Sequence, residues 1–284
     1  MLNTKFETAK ETAWCPGCGD FGILNALKEA LNELALNPHE VVICSGIGQA
    51  AKVPQYINTN GFNGLHGRAL PPATGIKIVN KNLKVIINSG EGDTYGEGGN
   101  HFIHTIRRNL DIAHFVHDNQ IYGLTKGQAS PTTNIGFRTG VQTNGVILEP
   151  LNPIALAISM GASFVARSFS GDAEHLKEVM KAAINHKGYA LVDILQPCVS
   201  FNKINTFKYY KDRVYYLPEE FDRTDREEAF KRSLEWGDRI PLGIFYQVEK
   251  TTYIDCIDYL NNGPALVDKE LNPMDAEKFM DDFK

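Results

Sequence analysis

Glu91 and Asn119 are the residues whose types and spacing point most directly to chemistry. Each closes a short apolar run: Glu91 lies in Gly90-Glu91-Gly92 after Lys84–Asn88, and Asn119 follows Ile112–Val116, 28 positions further on. A carboxylate, an amide oxygen and the backbone carbonyl of Ile121 would give a hard divalent cation three oxygen ligands. A diphosphate and a water would complete an octahedron around Mg²⁺. Glycines beside the carboxylate let the backbone approach phosphates closely. Gly96, Gly98 and Gly99 precede a helical stretch whose first N–H groups favour anions. An isolated Gly-Glu-Gly is more often only a flexible turn. The second strand end, and Ile121-Tyr122-Gly123-Leu124-Thr125-Lys126-Gly127-Gln128 beyond it, shift that balance.

Cysteines form the second constellation. Cys15 and Cys18 are close enough in sequence to share one metal, and Cys198 follows the last apolar run. A structural zinc site would normally bring a second Cys-x-x-Cys or paired histidines, and the chain has neither. A thioredoxin-like dithiol should follow a strand, whereas residues 1–13 are polar and unpatterned. Five cysteines, an odd number, fit poorly with a closed disulfide set.

The remaining candidates carry weaker signals. Gly46-Ile47-Gly48-Gln49-Ala50-Ala51 imitates a dinucleotide fingerprint, but Pro54 breaks the helix that motif must open and no acid near residue 70 would hold a ribose. His66 and Arg68 sit in a glycine-rich turn, a poor place for core packing. His66 is a candidate cofactor contact, and Arg68 would neutralise phosphate or order the loop. Lys52, on spacing alone, reads as a solvated lysine that can pair with a substrate carboxylate. Lys126 can do the same or face an acidic electron carrier. His101 and His104 share a helix face and read as packing or supporting groups.

Strands and helices alternate behind these residues. Leu24, Leu27, Leu31 and Leu34 predict a helix over 20–36. Strands are expected at 41–45, 84–88, 112–116, 164–169 and 189–195, and helices near 153–160 and 173–186. This is an α/β pattern with a mainly parallel sheet flanked by helices, and such sheets bind ligands beyond the carboxyl ends of their strands. Residues 1–198 read as the cofactor-binding domain. Residues 199–284, rich in aromatic and charged side chains, read as a C-terminal extension packing on it or on a partner.

Composition limits the functions. A hydrophobic fraction of 43% with 22% charged residues is ordinary for a globular protein, and no apolar run of membrane-spanning length occurs. The net charge of −5 argues against nucleic acid as the main partner. It is matched by the tail from Tyr253, where eight acids meet three lysines (3 − 8 = −5). The polar N-terminus lacks the core of a secretory signal, so a cytoplasmic location is expected.

Gly-Glu-Gly followed by Asn119 resembles the thiamine-diphosphate motif, which usually has aspartate where this chain has Glu91. More closely, the chain resembles the β subunit of the 2-oxoacid:ferredoxin oxidoreductases. The motifs involved are Trp14-Cys15-Pro16-Gly17-Cys18-Gly19, Gly64-Leu65-His66-Gly67-Arg68-Ala69-Leu70-Pro71, Gly98 to Phe102, Asp118 to Gln128 and Gln196 to Asn202. The resemblance runs nearly end to end. It implies a thiamine-diphosphate-binding fold in which Gly46, Ile47, Gly48, His66, Gly90, Gly92, Asp93, Asn119, Ile121, Gly123, Leu124 and Thr125 contact the cofactor. Glu91, Asn119 and Ile121 would hold Mg²⁺, and Lys52, His66 and Arg68 would serve catalysis.

The same resemblance implies a [4Fe–4S] cluster held by Cys15, Cys18 and Cys198. Its usual fourth cysteine is replaced by Gln49, which leaves Cys44, Gln49 or another ligand for that place. The implied reaction is oxidative decarboxylation of a 2-oxoacid to its acyl-CoA, with electrons passing to ferredoxin and the site completed by a separate α subunit. Two rivals stand beside it. A non-oxidative thiamine-dependent decarboxylase or lyase needs no cluster, and an iron–sulfur or zinc module needs no Glu91 and Asn119.

Overall fold

In the computed structural model the described residues are 4–270 together with 276, 277, 280 and 283, so part of the acidic tail lies outside them. Eight strands form one sheet: β1 (Val41–Ser45), β2 (Asn60–Asn63), β3 (Lys84–Gly90), β4 (Ile112–Asp118), β5 (Phe164–Phe169), β6 (Tyr189–Leu195), β7 (Val214–Tyr216) and β8 (Ile240–Gln247). Their order is β2-β1-β3-β4-β6-β5-β8-β7. Strands β1 to β6 pair in parallel, while β8 runs antiparallel to β5 with an irregularity between Val165 and Ala166.

Every residue of β1, β4, β5 and β6 is buried. These strands are covered on both faces, which is why they read as continuous apolar runs without alternation. One face packs against α1 (Asp20–Glu33) and α5 (Ala173–Asn185). The other packs against α2 (Leu70–Val79), α3 (Gly99–Arg108) and α4 (Pro153–Ser159).

Helix α1 buries Ile23, Leu24, Leu27 and Leu31. Together these four contribute about 6–12 kcal/mol before chain entropy is counted. Leu27, fully buried, is the side chain whose truncation to alanine would loosen α1 most, by roughly 2–5 kcal/mol. The helix stops at Glu33, short of the expected residue 36, because Ala35 takes a left-handed conformation (φ 56°). Helix α5 starts where Asp172 accepts the His175 N–H, and α4 where Asn152 accepts the Ala155 N–H. Each cap removes an orphan donor of the first turn.

Two features have no counterpart in the sequence pattern. Strand β2 (NGFN) is exposed at every position, so it has no apolar face to announce it. The sheet also does not stop at residue 198. After α6 (Phe207–Lys211), strand β7 leads to α7 (Arg226–Ser233), which packs on α4, and to β8, which joins β5.

Candidate cofactor site

The carboxyl ends of β1, β3 and β4 open into one narrow cavity. The loop after β1 lines it with Ile47, Gly48 and Gln49, and β3 with Gly90, Glu91, Gly92 and Asp93. The loop after β4 adds Asn119, Ile121, Gly123, Leu124 and Thr125, and His66 joins the lining. Residues far apart in sequence meet here because parallel strands end on the same edge of the sheet.

Glu91 is 2% exposed and its Oε1 accepts the Ile121 N–H at 3.0 Å. Asn119 Oδ1 accepts the same N–H at 3.0 Å, and Asn119 Nδ2 donates to Gln196 Oε1 at 2.8 Å. The Glu91 and Asn119 oxygens thus converge on one amide. Burial and the nearby Asp118 carboxylate push the Glu91 carboxyl well above its usual range. A buried carboxylate in that position is most economically ionised by a cation. Among the described residues no three His, Cys, Asp or Glu side chains stand close enough to hold a metal ion. One carboxylate, one amide oxygen and a backbone carbonyl suit a Mg²⁺ that arrives with phosphate oxygens of its own.

Asp93 acts as a latch. Its Oδ1 accepts the Ile47 N–H at 2.9 Å and the Gly67 N–H at 2.7 Å, tying the β1 loop to the His66 loop. His66 Nδ1 lies 3.0 Å from the same oxygen, out of line for a hydrogen bond, while Asp93 Oδ2 has no partner. Gly46 stands outside the cavity wall against this carboxylate. A Cβ there would fall 2.1 Å from Asp93 Oδ2.

Gly92 lines the cavity and is also held to glycine by packing, because a Cβ would meet the Tyr122 ring at 2.1 Å. Arg68 does not enter the cavity; its Nη1 donates to Gly67 O at 3.1 Å and Glu97 O at 3.0 Å, so it orders the loop. Lys52 lies on a short 3-10 turn (Ala50–Gln55), half-buried and outside the cavity lining.

A second cavity adjoins the first and shares Gln49, Asn119 and Gly123 with it. Cys15, Cys18 and Cys198 line it, with Trp14, Asp20 and Gln196. Trp14 Nε1 donates to Gln49 O at 3.0 Å, fixing the β1 loop over the cysteines. Cys18 Sγ lies 3.4 Å from Asp20 Oδ2 and 3.3 Å from Gln196 Nε2. Burial and the Asp20 carboxylate push its thiol far up, which favours the protonated form in the absence of a compensating positive charge. The three thiols do not converge as a single-ion site, but lining one cavity with Gln49 they are the donors an iron–sulfur cluster with one ligand that is not cysteine would use there.

Cys44 is not there. It is fully buried among Val42, Leu70 and Ile87 on the α2–α3 face of the sheet, whereas Cys18 packs on the α1 face. Burial pushes its thiol up to about 12. As a residue of β1 with regular strand pairing it cannot turn through the sheet, so of the two candidate fourth positions only Gln49 reaches the cavity.

Sequence reasoning does not find His117 and Asp20. His117, 1% exposed, lines the first cavity; its Nδ1 lies 2.7 Å from Asp20 Oδ1 and its Nε2 3.2 Å from Asn88 Oδ1. Asp20 touches both His117 and Cys18 and so joins the two cavities. The available signal is polar side chains at inward positions of an apolar strand and helix. Asp118 likewise has no role in the sequence pattern. It points to the opposite face, near buried Arg167 and Asp193, where Thr132 Oγ1 donates to it at 2.7 Å.

Comparison with known proteins covers most of the chain. Residues 42–194 match the family described as thiamine pyrophosphate enzyme, C-terminal TPP binding domain. Residues 198–262 match the family that describes the C-terminal part of the pyruvate ferredoxin oxidoreductase beta subunit. The chain is 49% identical over 272 residues to the 2-oxoacid:ferredoxin oxidoreductase subunit beta of Saccharolobus solfataricus, covering 89% of each chain. It is 49% identical over 279 residues to 2-oxoacid:ferredoxin oxidoreductase 1, subunit beta, of Aeropyrum pernix, covering 92% of this chain and 88% of that one. Among solved structures it is similar to the 2-oxoglutarate:ferredoxin oxidoreductase from Magnetococcus marinus with 2-oxoglutarate, coenzyme A and succinyl-CoA bound. That match has a TM-score of 0.86 and 36% identity, covering 89% of this chain and 88% of the other.

Proposed function

Because this chain belongs to the β subunits of the 2-oxoacid:ferredoxin oxidoreductases, we propose that with a separate α subunit it converts a 2-oxoacid and coenzyme A to acyl-CoA. The substrate carboxylate leaves as CO₂ and the acyl carbon ends on the CoA sulfur. The thiol proton is released, and two electrons pass to one-electron carriers of the ferredoxin class. The observation that carries this reading is the pair of adjoining cavities, one lined by Glu91, Asn119 and Ile121 and the other by three cysteines. A non-oxidative lyase would use the first and leave the second without a task.

Thiamine diphosphate, when bound, supplies the nucleophilic carbon and the electron sink for decarboxylation. A [4Fe–4S] cluster held by Cys15, Cys18 and Cys198, with Gln49 beside them, supplies a one-electron exit. The chain's own residues set the stage. Glu91, Asn119 and the Ile121 carbonyl would hold Mg²⁺, whose charge would offset the cost of ionising a buried carboxylate. Asp93 ties Ile47 to the His66 loop, which would keep both in place beside the cofactor's phosphates. Gly48, Gly90, Gly123, Leu124 and Thr125 shape the cradle wall. Lys52 has no salt-bridge partner among the described residues and stays available to a substrate carboxylate.

No helix among the described residues is long and apolar enough to cross a membrane. Five free cysteines support a reducing, cytoplasmic setting. The test is acceptor reduction by the two-subunit enzyme under anaerobic conditions. Methyl viologen should be reduced only when both a 2-oxoacid and CoA are present. Stoichiometric release of the aldehyde with no acceptor reduced would support the lyase and end this proposal.

A further inference from the structure

The cysteine cavity opens beside a stretch in which exposed apolar and basic side chains stand together. Phe201 forms part of the cavity wall, yet 38% of it is exposed. Close by in sequence, Ile204 is 56% and Phe207 36% exposed, large apolar side chains left in water. Between and beyond them stand Lys203, Lys208 and Lys211, all exposed. Residues 199–213 carry Lys203, Lys208, Lys211 and Arg213 against a single acid, Asp212, a charge of 4 − 1 = +3 in a chain whose net charge is −5.

The stretch is held in place. Asn202, 1% exposed, donates from Nδ2 to the Asn119 carbonyl at 3.0 Å and to Asn205 Oδ1 at 2.9 Å. Its own N–H donates to Cys198 O at 3.2 Å. Helix α6 then starts at a Thr206 cap, with Lys208 and Lys211 one turn apart. The loop bearing Phe201 and the lysines is therefore fastened to both the cysteine cavity and the cofactor loop. Exposed apolar residues ringed by lysines mark a protein docking surface more readily than a solvated face.

We propose that Phe201, Ile204 and Phe207, with Lys203, Lys208 and Lys211, form the docking surface for a small acidic electron-transfer protein, which takes electrons from the adjoining cysteine cavity. The inference rests on the oxidoreductase reading and adds where the acceptor binds. Complementary charge speeds encounter and fixes orientation, while the apolar centre holds a brief complex from which the reduced carrier must leave. An acidic acceptor is favoured because the stretch keeps its local charge of +3 with the Lys208–Asp212 pair included.

The test uses the two-subunit enzyme, an acidic [4Fe–4S] ferredoxin as acceptor, and methyl viologen as a small acceptor that needs no docking. The triple variant Lys203→Glu/Lys208→Glu/Lys211→Glu should raise the KM for ferredoxin about tenfold or more at low salt, with methyl viologen reduction unchanged. Wild-type KM should rise with ionic strength while that of the triple variant does not. A control variant, Lys231→Glu on α7, should behave as wild type. Equal ferredoxin KM in wild type and triple variant, with methyl viologen reduction intact in both, overturns the proposal. So does a variant set, including the milder Lys208→Gln, that fails to assemble with the α subunit, since the surface would then belong to that subunit. Wild-type enzyme that reduces neither acceptor overturns the oxidoreductase reading and the docking surface with it.

Discussion

Replacing Glu91 with glutamine should make the cofactor-free enzyme more stable while disabling its metal site. Glu91 is buried beside Asp118, and both burial and that neighbour hold its carboxyl well above the ordinary value of 4.5. The fold therefore binds the carboxyl proton more tightly than the unfolded chain does, and stability falls as pH rises above 4.5. Glutamine keeps the length and the acceptor for the Ile121 N–H at 3.0 Å but removes the charge. At pH 8 the stripped Glu91→Gln enzyme should therefore be more stable than wild type. For a chain of this size each kcal/mol gained raises the Tm by roughly 2–4 °C.

Wild-type enzyme should gain about 2.7 kcal/mol more when Mg²⁺ and thiamine diphosphate are present at roughly a hundred times their Kd. The variant, lacking the anionic ligand, should lose most of that gain. Scanning calorimetry of stripped and loaded enzyme, at pH 5 and pH 8, reads all these terms. A variant with a lower stripped Tm at pH 8, or with the full cofactor-induced shift, would refute the reasoning.

Three further outcomes follow from particular contacts. Gly46→Ala should lower both stability and cofactor affinity, because its Cβ would fall 2.1 Å from Asp93 Oδ2 and must break the latch on Ile47 and Gly67; thermal melts should show a loss of about 1–3 kcal/mol, and an unchanged melt would contradict the latch. Cys44→Ala should cost about 1–2 kcal/mol of core packing yet leave bound iron at wild-type levels, whereas Gln49→Ala should alter the cluster's EPR signal; iron lost on Cys44→Ala alone would reverse the assignment. Asp193→Asn should flatten the pH dependence of stability, since burial and Asp118 hold the Asp193 carboxyl above its usual 3.8 and Tyr95 OH donates to it at 2.9 Å. For wild type, stability should decline as pH climbs through neutrality, and an identical slope in the variant would count against it.

Strands β1, β3, β4, β5 and β6 are legible because each is buried on both faces and so forms an unbroken apolar run. Glu91 and Asn119 are legible because parallel strands place their carboxyl ends side by side, turning a spacing of 28 residues into a contact through Ile121. What escapes depends on direction or on partners. Which face Cys44 takes follows from its register with Phe62 and Ile87, which no local pattern reveals. That Tyr122, 30 residues away, also excludes a Cβ at Gly92 is a packing constraint no local pattern reveals. Asp20 and His117 meet only after folding brings α1 against β4, 97 residues apart. Strands β2 and β8 lack a clean alternation, the first because it is fully exposed and the second because it is an antiparallel addition with mixed burial.

Two cofactors in two adjoining cavities is the central claim, and anaerobic purification of the two-subunit enzyme tests it most directly. Thiamine diphosphate, iron and acid-labile sulfide are assayed on the same sample. The account predicts about one thiamine diphosphate and roughly four irons and four sulfides for each copy of this chain, with the iron falling sharply in a Cys15→Ala/Cys18→Ala variant that still binds thiamine diphosphate. Stoichiometric thiamine diphosphate with only traces of iron in the wild-type enzyme would contradict it.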